Sequence, residues 1–236
     1  MTGHAAPVST PPSSVRVCVV GRPDAEWVLP HGADVRGLLA QQGWAVTAVV
    51  AARRVGEGGL LLEVAAEPAD PVPGARPDPR HDPELRLRPD EVPHVHQRVA
   101  AYALVRSERG VLLTQLSVAT NAPGRWNLPG GGLDPGEDPQ AALHREVWEE
   151  TGQEVDEPRL VDVVTGHWVG RAPSGRVEDF HAVRLLYLAG CPRPQDPVVH
   201  DVGGSTQAAR WVDPEEALKM PLAGFVAELL PGLLRR

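Results

Sequence analysis

Three glutamates stand close together along one predicted helix, and their spacing is the most specific chemical signal in this sequence. Glu146, Glu149 and Glu150 are spaced i, i+3 and i+4, so a helix brings their carboxylates to one face. Like charges at this spacing destabilise an isolated helix, whereas a divalent cation that takes oxygen ligands removes the repulsion. Magnesium and manganese suit such ligands, and magnesium commonly shares its coordination shell with substrate phosphates. The acidic face therefore predicts a metal site for a phosphate-bearing ligand.

The ends of this helix are marked by residues with strong positional preferences. Asp138 is a predicted N-cap, and Pro139 then falls at the first helical position, where its missing N–H costs nothing. Gly152 suits the left-handed residue that ends a helix. Within these limits Arg145 lies one turn before Glu149, and it is placed to orient that carboxylate.

The segment before the helix offers candidate substrate contacts. Gly130, Gly131 and Gly132 have no Cβ, which lets their backbone approach a phosphate closely. A glycine-rich turn that leads into a helix N-terminus also presents free amides to an anion. Trp126 has two interpretations that the sequence leaves open: it stacks on a nucleobase, or it packs in the core beside the residues that follow it.

Together these residues resemble the Nudix box, which in family terms reads G-x5-E-x7-R-E-U-x-E-E-x-G-U, with U a bulky apolar residue. The matching positions are Gly131, Glu137, Arg145, Glu146, Val147, Glu149, Glu150 and Gly152. Gln153 departs from the pattern, because an apolar residue normally packs there, and we expect a small loss of stability rather than of chemistry. A solvated acidic helix face is the plain alternative. The joint register of glycine, glutamates and arginine argues against it.

The resemblance implies a role for each charged residue of the box. Glu146, Glu149 and Glu150 are expected to coordinate Mg²⁺ or Mn²⁺ and to carry catalysis. Glu137 is expected to tie the loop to the helix or to reach the metal through water, and Arg145 is expected to orient its neighbours.

Many enzymes of this family take a further acid from a loop outside the box. The candidates here are Asp201, Glu178 and Asp179. For each of them, a solvent-facing acid is the favoured interpretation, so the general base stays unassigned.

The implied reaction is attack of water on a metal-held diphosphate, in which catalysis is mostly positioning and electrostatics. The favoured substrate is a nucleoside diphosphate linked to another group, as in ADP-ribose, a sugar nucleotide or a dinucleotide. Two alternatives stay open: a house-cleaning pyrophosphohydrolase of nucleoside triphosphates, and a non-catalytic module that senses a nucleotide. The products distinguish the two hydrolases, since only the house-cleaning pyrophosphohydrolase releases pyrophosphate.

Composition limits the partners and the compartment. The 236 residues carry a net charge of −8, which argues against a general binder of nucleic acid or of a membrane surface. Cys18 and Cys191 make neither a disulfide framework nor a zinc spacing, so both are expected as reduced thiols in a cytoplasmic protein. The chain has no run of 18 apolar residues, and we expect no transmembrane helix. The resemblance leaves a homodimer open.

The chain is expected to divide into four segments. Residues 1–14 predict a flexible tail, 15–70 a small β-β-α-β-β domain, 71–93 a proline-rich linker, and 94–236 the Nudix domain. The predicted class is α/β: a Nudix α/β/α sandwich with a mixed sheet, preceded by a small N-terminal α+β domain. For that N-terminal unit we expect docking, dimerisation or a substrate lid, with ligand sensing as the alternative.

Overall fold

The computed structural model describes residues 14–56, 58–73, 78–172 and 174–236. The expected flexible tail lies outside these residues except for Ser14, which begins the first strand. The strands are β1 (Ser14–Val19), β2 (Glu26–Val28), β3 (Trp44–Val55), β4 (Gly59–Pro68), β5 (Arg80–His81), β6 (His94–Ser107), β7 (Gly110–Leu116), β8 (Trp126–Asn127), β9 (Gly130–Gly132), β10 (Asp156–Arg171), β11 (Val177–Gly190) and β12 (Thr206–Val212). The helices are α1 (Val35–Gln41), α2 (Pro139–Thr151), α3 (Pro214–Ala217) and α4 (Gly224–Leu233).

The N-terminal unit is a four-stranded sheet with one helix, and its elements follow the predicted β-β-α-β-β order. The strand order is β2-β1-β4-β3, with β1 and β4 parallel and the other pairs antiparallel. Helix α1 begins after Asp34, whose side chain accepts a hydrogen bond from the Gly37 amide at 2.8 Å. Its apolar residues Val35, Leu38 and Leu39 are buried.

The larger sheet is mixed, and it carries helices on both faces. Its strand order is β12-β7-β6-β11-β10-β5, with β6 and β11 parallel at the centre, while β8 pairs with β7 and β9 with β6. Because side chains alternate along β6, Val99 and Ala101 pack with α2, and Leu104 packs on the other face with α4. This arrangement confirms the predicted α/β class.

The N-terminal unit and the larger sheet share one apolar core. Val15 and Leu39 from the first unit belong to the same buried cluster as Val99, Leu143 and Leu185 from the second. Strand β3 packs against β10 and α2, and α1 packs against β10. Whether each part folds alone, as the division into domains supposes, stays a prediction.

The proline-rich segment crosses the edge of the larger sheet. Strand β5 pairs with β10 in parallel, and the Glu91 carboxylate accepts two hydrogen bonds from the Arg171 guanidinium, at 2.8 and 3.0 Å. These bonds from Arg171 hold the pKa of Glu91 at about 2. The segment is therefore anchored to β10 at two points.

Two further findings concern the helices and the cysteines. Within the described ranges, every helix is too short or too polar to cross a membrane. Cys18 and Cys191 are free thiols, and burial raises the pKa of both above the ordinary value for cysteine.

Candidate active site

Helix α2 has the ends and the buried face that its sequence predicts. The Asp138 side chain accepts a hydrogen bond from the Gln140 amide at 2.9 Å, and Pro139 opens the helix. Gly152 ends it with φ of 66°, and its N–H donates to the carbonyl of Trp148 at 2.8 Å. The helix is therefore fixed at both ends, which fixes the direction in which its glutamates point.

Arg145 is the centre of an ion-pair network on the acidic face. Its Nε and Nη2 donate to the two carboxylate oxygens of Glu137, both at 2.8 Å. Its Nη1 donates to Glu146 at 2.9 Å and to Glu149 at 3.0 Å. The bonds from Arg145 lower the pKa of Glu137. Arg145 therefore orients Glu146 and Glu149, and Glu137 ties the loop to the helix, as expected.

Glu150 is the most buried of the box carboxylates, with 5 % of the residue exposed. It accepts hydrogen bonds from the Gly130 amide at 2.9 Å, from the Thr206 hydroxyl at 2.6 Å and from Ser205 at 3.4 Å. Burial nevertheless outweighs these bonds and raises the pKa of Glu150 to about 7. Burial also raises the pKa of Glu146. Two carboxylates held in a poorly solvated place are a site that a cation would stabilise.

The raised pKa of Glu150 predicts how stability depends on pH in metal-free protein. Between its ordinary pKa of 4.5 and about 7, the folded state binds more protons than the unfolded state. The free energy of unfolding should therefore fall by about 3 kcal/mol as the pH rises through this window. Urea denaturation of chelator-treated protein at several pH values measures it. The Glu150→Gln variant should lack this fall, and an equal fall in both proteins would contradict the assignment.

The three glycines form strand β9 rather than a turn into the helix. They pair with β6, and Gly130 has φ of 135°, which only glycine adopts readily. A Cβ on Gly131 would overlap the Glu146 carboxylate, and one on Gly132 would overlap the Arg98 guanidinium. Charged side chains are thus the immediate neighbours of Gly131 and Gly132. A direct contact of this backbone with a phosphate stays a prediction.

Trp126 lies in the apolar cluster on the α4 side of the sheet. It is 7 % exposed, packs among residues that include Leu222, and donates its backbone N–H to the carbonyl of Pro221 at 2.9 Å. Of its two interpretations, the structure supports the core position and not the stacking of a base on this ring.

Gln153, the one departure from the box, is buried with its polar groups satisfied. Its Nε2 donates to the carbonyl of Thr151 at 3.1 Å, and its Oε1 accepts from the Gln195 amide at 2.9 Å. A polar side chain can therefore replace the usual apolar one, because its desolvation is offset by hydrogen bonds.

The three candidate acids outside the box lie in different surroundings. Asp201 is exposed in the loop before β12, and Glu178 pairs with Arg176 at 2.8 Å. Asp179 is bound by two histidines on the sheet face that carries the N-terminal unit. The last residue of this loop and the first residue of β12 instead contribute hydroxyls, those of Ser205 and Thr206, to the box.

Sequence reasoning missed two arginines beside the box. The charges of two arginines and two box glutamates all act on the pKa of the Tyr102 hydroxyl. They are those of Arg184, Arg98, Glu150 and Glu146. The Arg184 guanidinium lies 4.6 Å from the ring centroid of Phe225, and burial lowers its pKa. These arginines stand on β6 and β11, and their spacing in the sequence does not indicate which face would meet the glutamates. Arg98 adds positive charge beside Glu146.

Comparisons with known proteins match the part of the chain that contains this site. A model of the NUDIX domain matches residues 96–233. CTP pyrophosphohydrolase of Escherichia coli (strain K12) is 30% identical over 135 residues, which span 56% of this chain and 87% of that protein. Putative 8-oxo-dGTP diphosphatase 2 of Mycobacterium tuberculosis (strain ATCC 25618 / H37Rv) is 39% identical over 104 residues, 43% of this chain and 69% of that protein. A solved MutT NUDIX hydrolase from Burkholderia pseudomallei aligns with a TM-score of 0.46 and 28% identity, over 58% of this chain and 97% of that one.

Proposed function

This chain belongs to the NUDIX family of pyrophosphohydrolases, and we propose from that premise that it hydrolyses a nucleoside triphosphate with the help of Mg²⁺ or Mn²⁺. The observation that carries the proposal is the acidic face of α2, on which one arginine orients two glutamates beside the buried Glu150. The names of three relatives specify triphosphates: the two above and nucleoside triphosphatase NudI of Salmonella, 30% identical over 130 residues. We therefore rank triphosphates above the diphosphate-linked nucleotides that the sequence alone favoured.

The residues present fit a divalent cation. NUDIX enzymes generally use such cations, and Glu146, Glu149 and Glu150 would hold one here, with Glu137 as a further candidate. Their oxygen donors match the preference of Mg²⁺ and Mn²⁺, and burial, which raises the pKa of Glu146 and of Glu150, leaves the charged carboxylates poorly solvated, so that a cation would stabilise them. A bound cation would supply neutralisation of the phosphate charge that builds up during displacement.

Positioning and proton transfer are assigned to the protein side chains. Arg145 holds Glu146 and Glu149 in place, so no reorganisation is needed when the substrate arrives. The Glu149 side chain is 36% exposed against 15% for Glu146, so Glu149 is the carboxylate that an incoming water reaches most easily. We assign to Glu149 the acceptance of a proton from that water, and to the fixed position of Glu150 the alignment of the diphosphate.

Arg98 is proposed to bind the phosphates, and its removal should weaken substrate binding. A charge-assisted hydrogen bond contributes about 1.5–3 kcal/mol, so Arg98→Ala should raise KM by roughly 10- to 100-fold with a smaller effect on kcat. Steady-state kinetics measures both parameters. Arg193→Ala is the control, because Arg193 is exposed and pairs with the equally exposed Glu154. A KM of Arg98→Ala within twofold of the unchanged protein would remove Arg98 from the site.

Product analysis separates the candidate substrate classes. A triphosphate should be cleaved to a nucleoside monophosphate and pyrophosphate, with kcat/KM at least about tenfold above that for ADP-ribose or a sugar nucleotide. Phosphorus NMR identifies the products. Faster release of two monophosphate-bearing fragments would restore the diphosphate-linked class. A nucleotide that raises the melting temperature and is never cleaved would indicate a sensor instead.

A further inference from the structure

A second group of metal-ligating side chains lies where the N-terminal unit meets the larger sheet. His31 follows β2, His167 is on β10 and Asp179 is on β11, and one ligand atom of each lies within 4.8 Å of the others. We propose that these three residues bind one transition-metal cation of the Zn²⁺ class and thereby fasten the N-terminal unit to the sheet.

The ligand atoms converge on a single carboxylate oxygen. Asp179 Oδ1 lies 2.8 Å from His31 Nε2 and 2.6 Å from His167 Nε2. Two ligands of one tetrahedral zinc ion stand about 3.4 Å apart, given Zn–N and Zn–O bonds near 2.1 Å. Side-chain rotations that separate these atoms by roughly 0.6 to 0.8 Å would reach that distance. The three side chains are 21%, 28% and 10% exposed for His31, Asp179 and His167, which leaves a solvent-facing position for a fourth ligand.

The backbone holds each ligand in place before any cation arrives. His31 is in a turn in which the Ala33 amide donates to the carbonyl of Pro30 at 3.0 Å, with Gly32 at φ of 76°. His167 and Asp179 stand on the paired strands β10 and β11, where Asp179 is the register partner of Val169, two residues from His167. A site built on a closed turn and two paired strands loses little conformational freedom on binding.

The donor set selects a transition metal and not the cation of the box. Two imidazole nitrogens with one carboxylate suit zinc and its neighbours, whereas Mg²⁺ prefers oxygen ligands alone. Neutral imidazole is the form that binds a metal. His167 Nδ1 is buried and has no hydrogen-bond partner among the described residues, so Nε2 is the ring nitrogen that meets the Asp179 carboxylate.

A third histidine lies beside the proposed ligands. The ring of His181 lies 5.4 Å from that of His31 and 6.3 Å from that of His167, and its Nδ1 is 2.9 Å from the Gln97 amide group.

The proposed site is separate from the box because, among the described residues, its three ligands share no hydrogen-bond or ion-pair partner with Glu146, Glu149 or Glu150. Along β11, His181, Val183 and Leu185 point to the core shared with the N-terminal unit, so Asp179 in the same alternation does as well. Arg184 points to the opposite face, with Phe225. Loss of one site should therefore leave the other intact.

Cobalt absorbance tests the proposal without relying on catalysis. Untagged, chelator-treated protein is titrated with Co²⁺, whose visible absorbance is intense in a four- or five-coordinate site with nitrogen ligands and weak in a six-coordinate oxygen site. One equivalent should give the intense spectrum, and Zn²⁺ should abolish it by displacement. His31→Ala and Asp179→Asn should each weaken Co²⁺ binding at least about 100-fold, since each removes one of three ligands. His144→Ala, which removes an exposed histidine of α2, should bind normally.

Two controls separate this result from folding and from the box. His31 is in a loop, so its variant should keep the circular dichroism spectrum even if the Asp179 variant does not fold. Glu150→Gln should keep the intense cobalt spectrum whether or not the proposed hydrolase activity exists. An unchanged spectrum in folded His31→Ala, or no intense spectrum in the unchanged protein, would overturn the proposal and leave a hydrogen-bonded cluster.

Discussion

Replacing Glu150 with glutamine should lower kcat at least about 1,000-fold while the protein stays folded. The substitution keeps the shape of the side chain and removes the charge from the most buried carboxylate of the box. A thousandfold loss corresponds to about 4 kcal/mol, which is the scale expected when the charge that holds a metal-bound phosphate is lost. Initial rates of nucleotide hydrolysis at saturating substrate and cation measure the effect.

Stability must be measured on the same variant to separate chemistry from folding. Because burial raises the pKa of Glu150 to about 7, the charge is unfavourable in metal-free protein, and its removal should not lower the melting temperature. Glu154→Gln is the matched control, since Glu154 is exposed just beyond the helix and should keep full activity. A Glu150→Gln variant within tenfold of the unchanged rate would show that the reaction does not depend on this carboxylate.

Replacing Gly130 with alanine should destabilise the protein by about 3 kcal/mol or more, the largest stability effect that we expect of a single methyl group here. Gly130 has φ of 135°, and an added Cβ would overlap the carbonyl oxygen of Ala101 and the Cα of Tyr102 on the paired strand β6. Both are backbone atoms in the centre of the sheet, so they cannot turn aside as a side chain would. Urea denaturation measures the difference in unfolding free energy.

Gly21→Ala is the control that measures the cost of a positive φ without any overlap of the added Cβ. Gly21 also has a positive φ, 75°, but a Cβ there would meet open space. Its substitution should cost only about 1 kcal/mol. Equal losses in the two variants would mean that the approach of β9 to β6 does not matter. Any folded Gly130→Ala protein should also lose activity, because the Gly130 amide positions Glu150.

The box helix was predictable because its signals are local. Asp138, Pro139 and Gly152 act through residues within one turn, so their roles follow from spacing alone. The same holds for the link from Arg145 to Glu149, four residues apart. The spacing predicts each of these residues, and for Arg145 it also predicts the partner, Glu149.

Features that depend on distant parts of the chain were not predictable in this way. The glycines of β9 were expected to face a phosphate, but β6 and α2 bring Arg98 and Glu146 to them. Trp126 was ambiguous because its burial depends on α4. The Thr206 hydroxyl reaches Glu150 from 56 positions along the chain, and no spacing rule relates the two.

The histidines show the same limit most clearly. In the sequence, His94 and His96 alternate at the start of a predicted strand, a pattern for which metal ligands are one interpretation and solvated rings are the favoured one. In the structure His94 is exposed and His96 packs against Phe180. The residues that converge are instead His31 and Asp179, 148 positions apart, because the N-terminal unit docks on β10. Only the tertiary fold shows that His31 and Asp179 lie together.

One measurement tests the central claim, that the box carboxylates act through a divalent cation on a nucleotide diphosphate bond. Chelator-treated protein is assayed against nucleoside triphosphates, ADP-ribose, sugar nucleotides and diadenosine polyphosphates while Mg²⁺ or Mn²⁺ is added back in steps. We expect no hydrolysis without the cation and a saturable rise in rate for one substrate class, with triphosphates first. A rate that does not depend on the cation, or no hydrolysis of any nucleotide at any cation concentration, would contradict the account.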